Sequence, residues 1–186
     1  MSAQPFGPTH GLAPAERDVD AKPEKHLHTL SLYVNDKPGV LVRVALVFAR
    51  RAYNIESLVV SPSAQGGFSR MTITCSGDPQ TLEQIIKQLA KLVDVVHAID
   101  HTGDPSYETE VALVKIAAPL GERTQILQIV EHYNAKVVDY GADSLVLRVH
   151  GSSEKLDSFI ALLRPFGIVE LVRSGKILMA RGEAIT

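Results

Sequence analysis

The chain has 186 residues, of which 45% are apolar, and a formal net charge of −2 at pH 7. This length allows one large domain or two small ones with buried cores, and the small net charge gives no electrostatic reason to expect binding to nucleic acid or to an anionic membrane. A single cysteine, Cys75, excludes an internal disulfide, and no apolar run reaches the roughly 18 residues that cross a bilayer. The sequence therefore predicts a soluble cytoplasmic protein.

Residues 1–26 are predicted to form a disordered leader. Pro5, Pro8, Pro14 and Pro23 interrupt any regular element, and large apolar residues are sparse in this stretch. The segment also lacks the charged start and apolar core of a secretory signal. We expect ordered structure to begin at Leu27 and assign no function to the leader.

Residues 27–102 alternate between strand and helix patterns. Apolar residues at every second position predict strands, and apolar residues three or four apart predict helices. Asp78-Pro79 is a helix start signal, because aspartate caps a helix and proline fits its first turn. The predicted order is strand, helix, strand, strand, helix, strand. The apolar positions in that order are Leu30, Leu32 and Val34; Val40, Leu41, Val44, Val47 and Phe48; Leu58 and Val60; Met71, Ile73 and Cys75; Leu82, Ile85, Ile86 and Leu89; and the run from Val93 to His101.

The same order of elements recurs in residues 107–186, after a predicted linker at Gly103-Asp104-Pro105-Ser106 and with a final strand that begins at Ile168. Each half is thus predicted to be a ferredoxin-like βαββαβ domain, in which two helices cover one face of an antiparallel sheet. The fold class is α+β with two such domains. The other face of the first sheet should be partly open or covered by something else.

The turn between the first strand and the first helix is the candidate binding site. It comprises Asp36, Lys37, Pro38, Gly39, Val40 and Leu41. A helix start leaves free backbone N–H groups and a positive dipole end, which suit a small anion, and Gly39 lets a ligand approach the backbone. Because a plain turn uses the same Pro-Gly pair, the turn alone leaves both interpretations open.

Motifs for catalysis or metal binding are missing. The sequence has no G-x-S-x-G, H-E-x-x-H or paired Cys-x-x-Cys. His97 and His101 are four apart on a predicted strand, about 13 Å, which is too far for one ion, and Cys75 is predicted to be a packed residue. RNA binding would need stacked aromatic residues on the third strand, and that motif is missing. Acyl phosphate hydrolysis would need an arginine in the loop between the first strand and the first helix, but no arginine occurs in that loop before Arg43. A small-molecule binding module remains, with no catalytic or metal-binding residue.

Several segments are informative together. They are Asp36 to Leu41, Arg50 to Leu58, Ser69 to Ile73, Glu110 to Ile116 and Arg173 to Gly175. These segments resemble the small regulatory subunit of acetolactate synthase, whose N-terminal part is an ACT domain. The run from Asn54 to Leu58 is more specific than a general ACT signature, and the resemblance covers residues 27–186. It implies an effector-binding and dimerising ACT domain at 27–102 and a C-terminal ferredoxin-like domain at 107–186.

The resemblance also implies a function. Such a subunit is not an enzyme; it activates a separate catalytic large subunit in branched-chain amino acid synthesis and confers feedback inhibition by valine, and sometimes by leucine or isoleucine. Thiamine diphosphate, FAD and magnesium would belong to that catalytic subunit, and none of them to this chain. The effector would lie within a homodimer. Its site would combine Asp36, Lys37, Pro38, Gly39, Val40 and Leu41 of one subunit with Asn54 and Ile55 of the other.

These residue types suit an amino acid. Its carboxylate suits the helix-start N–H groups, its ammonium suits Asp36 or the Asn54 carbonyl, and its side chain suits Leu41 and Ile55. Structural roles as turn former, helix end and core residue are equally ordinary for Asp36, Asn54 and Ile55. Ala52 stands where relatives often have glycine. The alternative function is a free-standing amino-acid-sensing ACT regulator of another biosynthetic enzyme, which would need only the first half.

Overall fold

The computed structural model describes residues 26–186. Residues 1–25, and with them nearly all of the predicted leader, lie outside the described residues. The first strand begins at His26, one residue earlier than predicted. The α+β class and the two ferredoxin-like units are confirmed, because each half forms an antiparallel sheet with two helices.

The N-terminal half is a βαββαβ unit with one four-stranded sheet. Its elements are β1 (His26–Asn35), α1 (Val40–Ala49), β2 (Asn54–Pro62), β3 (Phe68–Gly77), α2 (Pro79–Leu89) and β4 (Val95–Asp100). The strand order β2-β3-β1-β4 leaves β2 and β4 at the edges. Alternate residues of β1 point toward the helices. The buried core between sheet and helices includes Leu30, Leu32, Val34, Val44, Phe48, Ile73, Ile85 and Leu89.

The C-terminal half repeats this order and adds one strand. Its elements are β5 (Ser106–Ala117), α3 (Arg123–His132), β6 (Lys136–Tyr140), β7 (Ser144–Gly151), α4 (Ser153–Leu163), β8 (Ile168–Arg173) and β9 (Ile177–Ala180). The order β6-β7-β5-β8 matches that of the first sheet, and β9 pairs with the start of β5. The predicted linker is one residue shorter, since Ser106 already belongs to β5.

The outer face of the first sheet, away from its helices, is covered by the segment that follows β8. A Cβ built on Gly175 would lie 2.8 Å from the Cβ of Ser57 on β2. At the far end of the segment, the carbonyl of Thr186 accepts hydrogen bonds from Arg70 on β3 and His97 on β4. This cover buries a polar layer on β1 and β3, comprising Thr29, Ser31, Thr72 and Thr74. The sequence left two possibilities for this face, partly open or covered, and the structure shows that it is covered.

A left-handed residue follows the first helix of each half. Ala52 has a φ of +51° and Asn134 a φ of +52°. This conformation brings the Cβ of an ordinary L-residue too close to a carbonyl, at about 1–2 kcal/mol, whereas asparagine tolerates it better. A glycine at position 52 would adopt this geometry without that cost.

We expect Ala52→Gly to raise the free energy of unfolding by about 1 kcal/mol, because relief of the strain exceeds the entropy that glycine adds to the unfolded chain. The matched change Asn134→Gly should alter it by less than about 0.5 kcal/mol. Urea unfolding of both variants measures the difference. A destabilised Ala52→Gly variant would contradict the strain at this position.

Candidate functional site

The turn from Asp36 to Leu41 is fixed to the β2–β3 hairpin by a hydrogen bond, and N–H groups at the start of α1 are free within residues 26–186. The Asp36 N–H donates to the Gly67 carbonyl at 2.9 Å, which ties the turn to the β2–β3 hairpin. Gly39 caps α1 with a φ of +83°, and no side chain caps the helix start. Among the described residues, the Gly39 and Leu41 N–H groups have no backbone acceptor, and Val40 has a long bond of 3.3 Å to the Lys37 carbonyl. The turn thus presents N–H donors from which an anion can accept hydrogen bonds.

The charges around the turn favour a zwitterion. Arg43 lies one helical turn beyond Gly39 and pairs with Asp94 at 2.5 Å, and its Nη1 would be 3.8 Å from a Cβ at Gly39. Since that pair compensates the Arg43 charge, the positive potential at the turn comes mainly from the helix dipole. Asp36 is exposed and forms no ion pair within residues 26–186. Its carboxylate supplies negative charge at the first residue of the turn.

Asn54 and Ile55 lie at the opposite end of the sheet. Asn54 pairs with Ser76 on β3, whereas the turn adjoins the start of β3 near Ser69. Seven strand residues separate these points, about 23 Å. The structure therefore brings residues 36–41 together in one place and residues 54–55 in another, and a single chain cannot join them. The Asn54 side-chain amide donates to Glu56 at 2.7 Å, and Ile55 packs half-buried against the core.

The corresponding turn of the second half is closed. Arg123, at the start of α3, is buried and donates to the carbonyl of Ala118 at 2.8 Å and to that of Gly141 at 2.8 Å. Its guanidinium also stacks over the Tyr140 ring. The chain's own cation thus ties the β5–α3 turn to the β6–β7 turn, so this place is less open to a ligand than the turn at Gly39.

One polar cluster was missed from the sequence. The Ser31 hydroxyl lies 2.8 Å from His101 Nε2, and His101 Nδ1 lies 3.5 Å from an Asp104 carboxylate oxygen. The order resembles a catalytic triad, but Ser31 is only 4% exposed, beneath the cover of the outer sheet face. Since no substrate reaches this hydroxyl, the cluster is a satisfied polar contact between β1 and the segment that links β4 to β5. Sequence spacing could not reveal it, because Ser31 and His101 are 70 residues apart.

The remaining candidate residues, Cys75, His97 and His101, do not form a catalytic or metal-binding group. Cys75 is fully buried, as predicted for a packed residue. Burial, with the nearby charges of Asp100 and Glu56, raises the pKa of its thiol to about 12, so it remains protonated and a poor nucleophile at neutral pH. His97 stacks on Tyr33 and does not approach the His101 cluster. Within residues 26–186, no group of three or more His, Cys, Asp and Glu side chains could hold a metal. No helix in that range is long and apolar enough to cross a membrane.

The fold and the open turn at the start of α1 define an ACT-domain regulatory protein. A family model described as "AHAS small subunit-like ACT domain" matches residues 30–97, and one described as "Small subunit of acetolactate synthase" matches residues 109–182. The chain belongs to the acetolactate synthase small subunit family. It is therefore a regulatory subunit, and a small subunit implies a catalytic large subunit as its partner.

Individual relatives agree with this assignment. The acetolactate synthase small subunit of Mycolicibacterium smegmatis is 44% identical over 155 residues, which cover 83% of this chain and 91% of the relative. A probable acetolactate synthase small subunit of Archaeoglobus fulgidus is 43% identical over 84% of this chain and 98% of its own length. The crystal structure of the small subunit from Thermotoga maritima is similar with a TM-score of 0.77 and 35% identity, covering 86% of this chain and 99% of that one. The resemblance inferred from the motifs is thus confirmed.

Proposed function

We propose that this subunit activates a catalytic acetolactate synthase subunit and confers feedback inhibition by valine, with leucine and isoleucine as further candidate effectors. The observation that carries the proposal is the open turn at Asp36 to Leu41, whose N–H donors lie beside exposed apolar and acidic side chains. Thiamine diphosphate, FAD and magnesium are expected on the catalytic subunit. The family match extends over both halves, which favours this function over a free-standing sensor.

The turn has a group for each part of a branched-chain amino acid. The Gly39 and Leu41 N–H groups and the start of α1 favour the carboxylate. Asp36 favours the ammonium, with the Asn54 side-chain carbonyl as a second acceptor. Leu41, which is 42% exposed, offers an apolar wall, and Ile55 would add another. Two separate chains must contribute these groups, because the turn and Asn54 lie at opposite ends of one sheet.

A two-fold dimer through β2 would unite them. The outer edge of β2 pairs with no strand among the described residues, and such an edge can pair with its own copy. Antiparallel pairing about a two-fold axis places the Asn54 end of one strand beside the Pro62 end of the other, and the turn of that other copy lies at this end. The exposed apolar side chains of α1 would also become covered: Leu41, Val42 and Leu46.

Mixing the two subunits tests the proposal. This chain alone should form no acetolactate, the catalytic subunit with its cofactors should turn over faster when the chain is added, and valine should reverse the gain. Glycine is the matched control, because it carries the same carboxylate and ammonium without the branched side chain. Turnover by this chain alone, or an unchanged rate on mixing, would disprove the function. Light scattering should give the mass of a dimer, and a persistent monomer in the presence of valine would disprove the shared site.

A further inference from the structure

A second concave feature lies at the other end of the ACT helices. It is a cleft of about 550 Å³ between the C-terminal ends of α1 and α2, here called the basic cleft. Three of its residues lie in or just after the last turn of α1, and three lie in or just after the last turn of α2. They are Val47, Arg50, Arg51, Gln88, Lys91 and Leu92.

The cations of the basic cleft are uncompensated. Arg50, Arg51 and Lys91 form no ion pair within residues 26–186, whereas the neighbouring Arg43 and Lys87 are both paired with acids. Three free cations around one cleft are notable in a chain whose net charge is −2.

The Arg51 guanidinium has hydrogen-bond donors that find no acceptor in the described chain. Its Nη1 donates to the Gln84 side-chain carbonyl at 2.5 Å, and its Nε is buried without an acceptor in the described chain. That buried Nε is out of reach of a docking partner, but Arg51 Nη2 forms no hydrogen bond within residues 26–186, so the guanidinium keeps a donor for a carboxylate. The cleft therefore suits carboxylates, and its apolar floor at Val47 and Leu92 suits carbon chains beside them.

We propose that the basic cleft docks an acidic, partly apolar segment of the catalytic subunit. This inference rests on the proposed function and names the surface through which it is exerted. Arg50 and Lys91 are exposed, so a free small anion would meet cations that water and salt screen. A protein segment that covers the cleft excludes that water, and arginine beside apolar residues is a frequent source of binding energy in such interfaces.

The position of the cleft connects it to the effector. Arg50 and Arg51 lie four and three residues before Asn54, which is at most about 14 Å of chain. The short connection between α1 and β2 thus carries both the cleft cations and a proposed effector contact. Because linkage is reciprocal, valine bound at Asn54 and the partner bound at the cleft would each alter the affinity for the other.

A charge-reversal pair tests the docking. Arg50→Glu/Lys91→Glu should raise the Kd for the purified catalytic subunit at least about tenfold and should reduce its dependence on salt. Lys136→Glu/Arg148→Glu is the matched control, because it makes the same charge change at exposed residues of β6 and β7. The control should change the Kd by less than about twofold. Calorimetry with valine and light scattering on each variant verify that the fold and the dimer persist.

The outcomes separate the two proposals. If wild type activates the catalytic subunit but the cleft variant binds equally well, or if the control weakens binding as much, docking at the cleft is overturned and the function stands. If wild type neither binds nor activates the catalytic subunit, the proposed function itself fails. Should the cleft variant lose its fold, Arg50→Gln/Lys91→Gln replaces it, with an expected weakening of several fold and the same criterion.

Discussion

A Gly39→Asp subunit is expected to lose valine inhibition while it still activates the catalytic subunit. There is space for the change, since a Cβ at Gly39 would meet only Arg43 Nη1, at 3.8 Å. The new carboxylate would stand where we propose that the effector carboxylate binds. Like charges about 4 Å apart repel by roughly 1 to 4 kcal/mol, depending on the local dielectric, which corresponds to about tenfold to a thousandfold in valine affinity.

The control for this prediction is Gly39→Asn, which has nearly the same shape without the charge. Both side chains tolerate the φ of +83° better than most residues, so a difference between them reports charge and not backbone strain. The measurement is synthase activity against valine concentration, with a melting curve for each variant. Equal loss of inhibition in both would mean that bulk excludes the effector. Normal inhibition by a folded Gly39→Asp subunit would contradict the site.

Arg173→Ala is expected to destabilise the chain by about 3 kcal/mol, because it leaves a buried carboxylate without its counter-charge. Glu110 on β5 is 5% exposed. Its Oε2 accepts from Arg173 Nε at 3.0 Å and from Arg173 Nη2 at 2.5 Å. After the change, the only hydrogen bond to Glu110 that remains among the described side chains is that from Ser153.

Asp157→Ala is the matched control, because Asp157 pairs with the same arginine at 2.6 Å but is largely exposed. An exposed pair contributes about 0–1 kcal/mol, so the control should change the free energy of unfolding by no more than that. Urea unfolding of the two variants makes the comparison. If both variants lost the same stability, burial of Glu110 would not be what makes the Arg173 contact strong.

Local patterns predicted most of the fold. The Asp78 cap is confirmed, since its carboxylate accepts from the Thr81 N–H at 2.8 Å, and the alternation at Leu30, Leu32 and Val34 correctly marked the core face of β1. The missed strand, β9, has only four residues, too few for a period to be visible. It forms because β5 extends beyond the second sheet and offers a free edge at its start.

The candidate site was predictable only in part. Gly39 and its neighbours are adjacent in sequence, so the Pro-Gly turn before an apolar helix pattern already indicates free N–H groups. That Asn54 lies about 23 Å away follows from strand register, which pattern alone does not fix. The basic cleft gave no sequence signal, because Arg51 and Lys91 come together only when two helices pack.

The covered outer face of the first sheet has a consequence for how the chain is made. The bond from Arg70 to Thr186 joins residues 116 positions apart. At a synthesis rate of about 5–20 residues per second, Thr186 is made roughly 6–23 s after Arg70. The outer face of the sheet therefore stays uncovered for that time. During that time the sheet face is wet. The threonine and serine side chains at 29, 31, 72 and 74 are polar, so the uncovered face is hydrated and does not promote aggregation. An apolar layer in the same place would expose an aggregation-prone surface.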